Sequence, residues 1–464
     1  MKRISCSQPG LALLMTLLLA TALALPVAGA PAGVVFTSLY SFTGTNDGSS
    51  PYAGLVQGSD GNFYGTTFGG GTNNLGTVFQ ITSTGALTSL YSFGGTNDGA
   101  NPVGGLVQGS DGNFYGTTEA GGTNNLGTVF KITTSGALTS LYSFTGTNDG
   151  ANPYAPLAQG SDGNYYGTTE LGGTNNFGTV FKISTNGALT SLYSFTSGSD
   201  GAYPLAGLVQ GSDGNFYGST AGEAFMFANA VFQISTNGTL NALYASFPPF
   251  GGNSSRLAQG GDGFFYGTTQ YGGTSSDGTV FKISTNGPPT TLHSFSLADG
   301  LTSFGGLVLG SDGSFYGTAY GGGNTNLNNG FGYGTVFKVT TNGALAGLYS
   351  FGGTNDGANP QAGLVQGSDG SFYGTTKAGG TNNLGTVFQL TIEPQLSITR
   401  SGANVILTWP TNYTGYVVQE TSDLTSSSGW AVNDPFPPVI VNGQYSVTRP
   451  KLGPHISYRL KRLQ

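Results

Sequence analysis

Cysteine is all but missing: Cys6 is the one copy in 464 residues, and it precedes an apolar run that reads as an export leader. No disulfide can then brace the mature chain, so it must be held by its own core. Histidine is almost as scarce. His293 and His455 make no multi-histidine metal centre, and no Ser-His-Asp set can be assembled within the repeated body. Charged residues amount to 8 % of the chain, too few to solvate long exposed helices. Beyond the leader, no apolar stretch reaches the length of a membrane span.

Rings and glycines fill the space. Aromatic residues make up 12 %, and the 82 glycines and 20 prolines recur at fixed intervals, which disordered chains do not require. This composition predicts periodic all-β structure. At the front, Lys2 and Arg3, an apolar run from Leu11 to Leu25 and the small residues of "PVAGAPAG" form the three parts of a secretory signal peptide. Cleavage is expected after Ala32, with Ala30 the alternative, and residues 1–32 are set aside from the fold.

Charge divides the remainder in two. Residues 33–393 hold 6 basic against 18 acidic residues, whereas 394–464 hold 6 against 3. An acidic body without a basic stripe repels phosphate backbones and excludes nucleic acid as a partner.

The ten letters "GSDGNFYGTT" at 58–67 return, nearly unchanged, six more times. Tyr64, Tyr115, Tyr166, Tyr217, Tyr266, Tyr316 and Tyr373 stand 51, 51, 51, 49, 50 and 57 residues apart, a period typical of stacked supersecondary units. Each unit reads as four strands, as in "GLVQG" at 105–109, "NFYGTT" at 113–118, "GTVFKIT" at 127–133 and "ALTSLYSF" at 137–144. The ends are out of phase by one strand. The chain enters on a fourth-strand sequence at 34–42 and leaves the last repeat on a third strand at 385–391, so the two fragments complete one blade. The expected fold is a seven-bladed β-propeller, closed by its N-terminal strand, which removes the exposed sheet edge.

"GSDG" reads as a hairpin turn, in which Asp bonds nearby backbone and Gly takes a positive φ. Its Asp recurs as Asp60, Asp111, Asp162, Asp213, Asp262, Asp312 and Asp369. One carboxylate per turn makes neither a catalytic pair nor a metal ligand set. A second series, Asp47, Asp98, Asp149, Asp200, Asp299 and Asp356, falls in "NDG", "SDG" or "ADG" loops. It lacks a full calcium series, which favours turn caps. No metal or cofactor is expected. In the Phe-Tyr pair after the turn, one ring should face each neighbouring blade.

With these motifs in hand, residues 34–392 resemble the GloVer-type tandem repeats of secreted bacterial proteins, marked by "DGNFYGTT", a glycine-rich loop and "GTVFKI". The resemblance implies export and names no activity. Members of that class often end in a membrane-sorting tail, whereas this chain ends in "YRLKRLQ" without an apolar segment. The hairpin alone is also similar to the "PDGNLWF" repeats of lyase-like propellers.

Strand alternation places the tight turns on one face and the long loops "GGTNNLG" and "GTNDGANP" on the other, where a binding surface is expected. Candidate ligand-binding residues there are Asn73, Asn74, Asn124, Asn125, Asn175 and Asn176, whose amides both donate and accept and suit neutral glycans. The same residues could instead supply left-handed turn positions. Glu119 and Glu170 occupy equivalent positions in adjacent repeats, as a carboxylate pair or as solvated loop residues. Repeats four and six depart most, at "AGEAFMFANAVF" and "GGGNTNLNNGFGYG", where Phe225, Met226, Phe227, Phe331 and Tyr333 are candidates for an apolar contact patch.

From Pro394 the repeat stops, and residues 394–464 read as a small β-sandwich in which Trp409 after "VILT" resembles the buried Trp of fibronectin type III-like domains. Its basic end, Arg459, Lys461 and Arg462, is either a solvated edge strand or an attachment to acidic envelope polymers. The sequence thus favours a secreted or surface-held monomer that binds extracellular polysaccharide or a cell-envelope polymer without catalysis. The alternative is a polysaccharide-active lyase or hydrolase on the same face. Convergence of Glu119, Glu170, Lys377 and Arg256 in one axial pocket would raise the enzyme case.

Overall fold

The computed structural model describes residues 33–221, 229–246, 255–394, 396–410, 416–422, 430–431, 438–450 and 456–462. The signal-peptide expectation and the candidates Phe225, Met226 and Phe227 lie outside them. Seven four-stranded antiparallel sheets fill the repeated body. In the second repeat the strands are Val107–Gln108, Phe114–Thr118, Thr128–Ile132 and Leu138–Ser143, paired in chain order. The second strand is buried throughout and the third nearly so, while the fourth lies half open at the rim. A register shift between Val129 and Phe130 lets that outer strand twist away from its neighbour.

The repeated motif explains itself in contacts. In the turn, Gly112 has φ +80° and Asp111 accepts from the Asn113 backbone and side-chain amides. The same carboxylate accepts the Tyr115 hydroxyl at 2.8 Å. Phe114 and Tyr115 point to opposite faces, as expected: Phe114 stacks on Tyr64 of the preceding blade and Tyr115 on Tyr165 of the following one, both with centroids 4.0 Å apart. The Asp–Tyr bond recurs in all seven copies, and so does the inter-blade stack. Behind the motif, Thr118 and Thr128 share a buried hydroxyl contact, which is why "GTT" and "GTV" travel together.

A second clasp joins the blades on the turn face. Gln108 accepts from the Ser59 backbone amide and donates to the Ser59 hydroxyl, and equivalent Gln–Ser contacts link five further blade pairs. The pair between blades five and six has lost both partners. Gly261 replaces the serine, and Leu309, 38 % exposed, replaces the glutamine. At the same seam the Tyr266–Phe315 stack is 4.2 Å, against 4.0 Å at the other six.

The ring closes through the chain ends. Val34–Ser41 pairs antiparallel with Thr386–Ile392, so one blade is built from both ends of the body. Phe63 stacks on Tyr373 and Gln57 bonds Ser368 across the junction. Phe36 on the closing strand stacks on Tyr349 at 3.9 Å.

After the body, Ser397–Ser401, Asn404–Pro410, Gln444–Pro450 and Val439–Val441 form one sheet, and Tyr416–Thr421 with Ser457–Arg462 a second. Leu407, Trp409 and Val447 from the first share a core with Val418 from the second. Arg459 lies over the Trp430 ring at 4.2 Å and donates to Gln419.

Removing 34–41 should leave an unpaired edge and a protein that melts lower and aggregates, and Phe36→Ala alone should cost about 2 kcal/mol, since the ring is partly exposed. A deletion variant that melts with the parent would defeat the closure. Restoring the missing clasp with Gly261→Ser and Leu309→Gln should stabilise the double variant by about 1 kcal/mol, while each single change is near neutral. A Cβ at Gly261 meets nothing within 4 Å, so strain will not mask the effect. An additive double-mutant cycle would refute it.

Acid should weaken the fold through the turn aspartates. Burial pulls the turn carboxyls of Asp60, Asp111, Asp162, Asp213 and Asp312 upward, but donated hydrogen bonds outweigh it and hold them below their ordinary range. A carboxylate depressed in the folded state contributes stability above its unfolded pKa, near 4, and loses it as pH falls through the lower folded value. Denaturant unfolding should thus show a plateau above about pH 5 and a decline below about pH 4. Asp111→Asn should cost about 1 kcal/mol near neutrality and flatten that decline slightly. Stability that rises on acidification would contradict the assignment.

Candidate functional site

The six candidate asparagines spend amide groups on their own loops. Asn73, Asn124 and Asn175 donate to the carbonyls of Phe93, Phe144 and Phe195. Asn74, Asn125 and Asn176 accept from the backbone of Gly70, Gly121 and Gly172, with φ of 57°, 57° and 60°. Phe331 is 63 % exposed, whereas Tyr333 packs against the cluster that contains Leu348 and Phe351. The two are thus not presented together as one open patch.

The loop aspartates are similarly engaged. Asp47, Asp98, Asp149, Asp200 and Asp356 each accept a tyrosine hydroxyl from the outer strand of their own blade and a backbone amide four residues upstream. In repeat five His293 replaces that tyrosine and meets Asp299 at 2.9 Å. His293 therefore sits in a structural series. Among the described residues no group of three or more His, Cys, Asp or Glu is placed to hold a metal ion.

The open space lies on the axis. A cavity of about 320 Å³ is lined by residues of all seven blades, drawn from the segments that lead into each first strand and, in repeat five, also from Gln270 after the second strand. Those strands run from the cavity to the "GSDG" turns, so its mouth opens on the long-loop face. Gly54, Gly105, Gly207, Gly306 and Gly363 form a collar there. A Cβ at Gly54 would lie 2.8 Å from the Gly363 carbonyl, and one at Gly363 2.7 Å from that of Gly306, so backbone meets backbone around the ring.

Two rings of side chains above the collar change chemical class between copies while their neighbours repeat. The first, two residues before the collar, holds Tyr52, Val103, Tyr154, Leu205, Phe304 and Gln361 among the described residues. The second, directly after "GTT" or its equivalent, holds Phe68, Glu119, Glu170, Ala221, Gln270, Tyr320 and Lys377. The rings interleave. Tyr52 meets Phe68 at 5.0 Å and carries the Lys377 ammonium 4.7 Å above its face, and Phe304 meets Tyr320 edge-on at 5.5 Å. Burial, then the charge of Glu119, with Tyr52 and Glu170 adding to it, pushes the Tyr154 hydroxyl up to about 12. Burial also pushes the Glu119 carboxyl up.

The four residues named as a convergence test thus gather around one mouth. Arg256 lines the cavity, Lys377 covers a lining tyrosine, and Glu119 and Glu170 act on another. Sequence reasoning passed over the aromatic members. An alignment of the copies within the chain would have found them, because Phe68, Glu119, Glu170 and Lys377 follow the same three letters.

The model of the Gloeobacter/Verrucomicrobia repeat matches residues 29–226 and 209–431. The chain matches no curated protein sequence. Solved structures of similar shape include a periplasmic gluconolactonase of Pseudomonas aeruginosa, with 16 % identity over 86 % of this chain and 99 % of that one and a TM-score of 0.46. PorZ, a bacterial surface component of the type-IX secretion system of Porphyromonas gingivalis, shares 15 % identity over 83 % of this chain and 54 % of its own, with a TM-score of 0.48. A puromycin hydrolase shares 11 % over 80 % and 61 %, with a TM-score of 0.49.

Proposed function

The chain belongs to the Gloeobacter/Verrucomicrobia repeat family, and we propose that it is a binding propeller that takes a saccharide chain into the mouth of its axial cavity. The observation that carries this reading is the concentration of chemical variety in the two rings at the mouth. Sugar rings present C–H bonds on their faces and hydroxyls at their edges, so they suit a recess that mixes aromatic faces with polar groups. Tyr52, Tyr154 and Phe304 supply the faces, and Gln361, Glu119 and Glu170 the edges. A volume of about 320 Å³ admits the end of a chain and lies at the lower limit of ligand pockets.

The acid–base character supports binding over elimination chemistry. A phenol that stays protonated up to about pH 12 donates hydrogen bonds at neutral pH and is a poor base. The raised carboxyl of Glu119, with Glu170 acting on the same Tyr154, keeps a hydrolase as the second reading. In this proposal residues 33–393 form the binding unit of an exported or surface-held monomer, and 394–464 a small fibronectin III-like sandwich beyond it.

A glycan array followed by calorimetry on the full chain tests the reading. Tyr52→Ala and Tyr154→Ala should each weaken the best ligand about tenfold or more, a typical loss for an anchoring aromatic. Asn124→Ala should leave affinity unchanged and cost about 1 kcal/mol of stability. Undiminished affinity in both tyrosine variants would overturn the site. New reducing ends on incubation, abolished by Glu119→Gln, would establish the hydrolase.

A further inference from the structure

Arg256 stands where the collar has glycine in five other copies and Pro156 in the sixth. In the glycine copies the preceding blade crowds this position: a Cβ at Gly54, Gly306 or Gly363 would lie 2.8, 2.9 or 2.7 Å from its backbone carbonyl, and one at Gly105 3.3 Å. Repeat five puts the longest cationic side chain there instead, and with it a charge beside the axis of an otherwise uncharged collar.

The surroundings do little for that charge. The Arg256 side chain is exposed to the cavity that it lines, while the surrounding ring atoms lower its pKa by desolvation. Its hydrogen bond within the described residues is a long one, Nε to the Leu208 carbonyl at 3.4 Å. No described carboxylate lies within ion-pair distance of it. Arginine's planar fork matches a carboxylate through two parallel N–H···O bonds.

Resting on the saccharide reading above, we infer that the ligand is an acidic saccharide and that Arg256 holds the carboxylate of a uronic acid residue in the cavity. Lys377, on the face of the lining Tyr52, supplies a second positive charge at the mouth. Glu119 and Glu170, on blades two and three, crowd Tyr154 with negative charge and repel a carboxylate from that side. The mouth is therefore polarised, and the acidic sugar ring is seated toward blades five to seven. This refines the neutral ligand expected from the asparagine loops, whose amides are spent in part on their own backbone.

The test compares hexuronic acid oligosaccharides, of galacturonic, glucuronic and mannuronic type, with their methyl esters and carboxyl-reduced forms, on the full chain. The acids should bind, and the esters and reduced forms should bind at least tenfold more weakly. Added salt should weaken the acids alone, because it screens the ion pair. Arg256→Gly restores the collar residue of five sister repeats, so it should fold with an unchanged melting profile and lose the preference for acids. Arg256→Lys should keep part of it, as a charge without the fork. Equal affinity for acid and neutral forms, or an acid preference that survives Arg256→Gly, would overturn the inference and leave the saccharide reading standing. Binding of none of the three forms would overturn the inference; array hits on other saccharides would then leave the saccharide reading standing, and an empty array would remove both.

Discussion

The hydrogen bond from a strand tyrosine to the aspartate of its own turn is the contact on which the ring depends. It does two jobs at once. The carboxylate shapes the hairpin by accepting from the backbone, and it fixes the phenol so that the ring lies flat against the next blade. Turn geometry inside one blade is thereby coupled to packing between blades. With seven copies, each blade's position is set twice, once by each neighbour, and no sheet face is left without a partner. A chain with no disulfide available can be held this way because the aromatic area buried at seven stacks replaces covalent bracing.

That economy limits where function can reside. The turn Asp, the paired aromatic rings and, in six of the seven repeats, the Gln are committed to blade contacts, so changing their chemistry would break one. Freedom remains at two positions per repeat, whose side chains project into the axial mouth. Around it the chain carries phenyl, phenol, carboxylate, amide and ammonium groups on near-identical backbone. Equivalent mounts with differing groups make an asymmetric recess out of a symmetric frame. The seam between blades five and six, where the Gln–Ser clasp is missing and the stack is widest, adjoins the copy that carries Arg256. Departure from the repeat is concentrated on that side of the ring.

Most of the frame was legible in the residues alone. The tyrosine period set the units, the four strand-like segments the blade, and the surplus strand at 34–42 the closure, because each of these follows from local patterning and from counting. The turn role of Asp111 was legible too, since Asp-Gly acts within four residues. Its bond to Tyr115 was not read, because it needs the pitch of the following strand. Strand alternation put the candidate loops together on the long-loop face, yet the amides of Asn124 and Asn125 are engaged with backbone that only the folded loop brings near.

What the sequence by itself determined is the repeat, its strands and turns, and the ring that joins first strand to last, for these depend on separations of a few residues and on a period. What only the tertiary structure decided is which side chains share a space. Tyr52 and Lys377 are 325 positions apart in the chain and 4.7 Å apart at the mouth, because the closing strand brings the last blade against the first. In sequence Arg256 is one of four charged residues that could converge, with nothing to say where it stands in the ring. Only the ring, by setting it in the wall of the axial cavity with no described carboxylate in ion-pair distance, makes it a cation that a ligand there can meet.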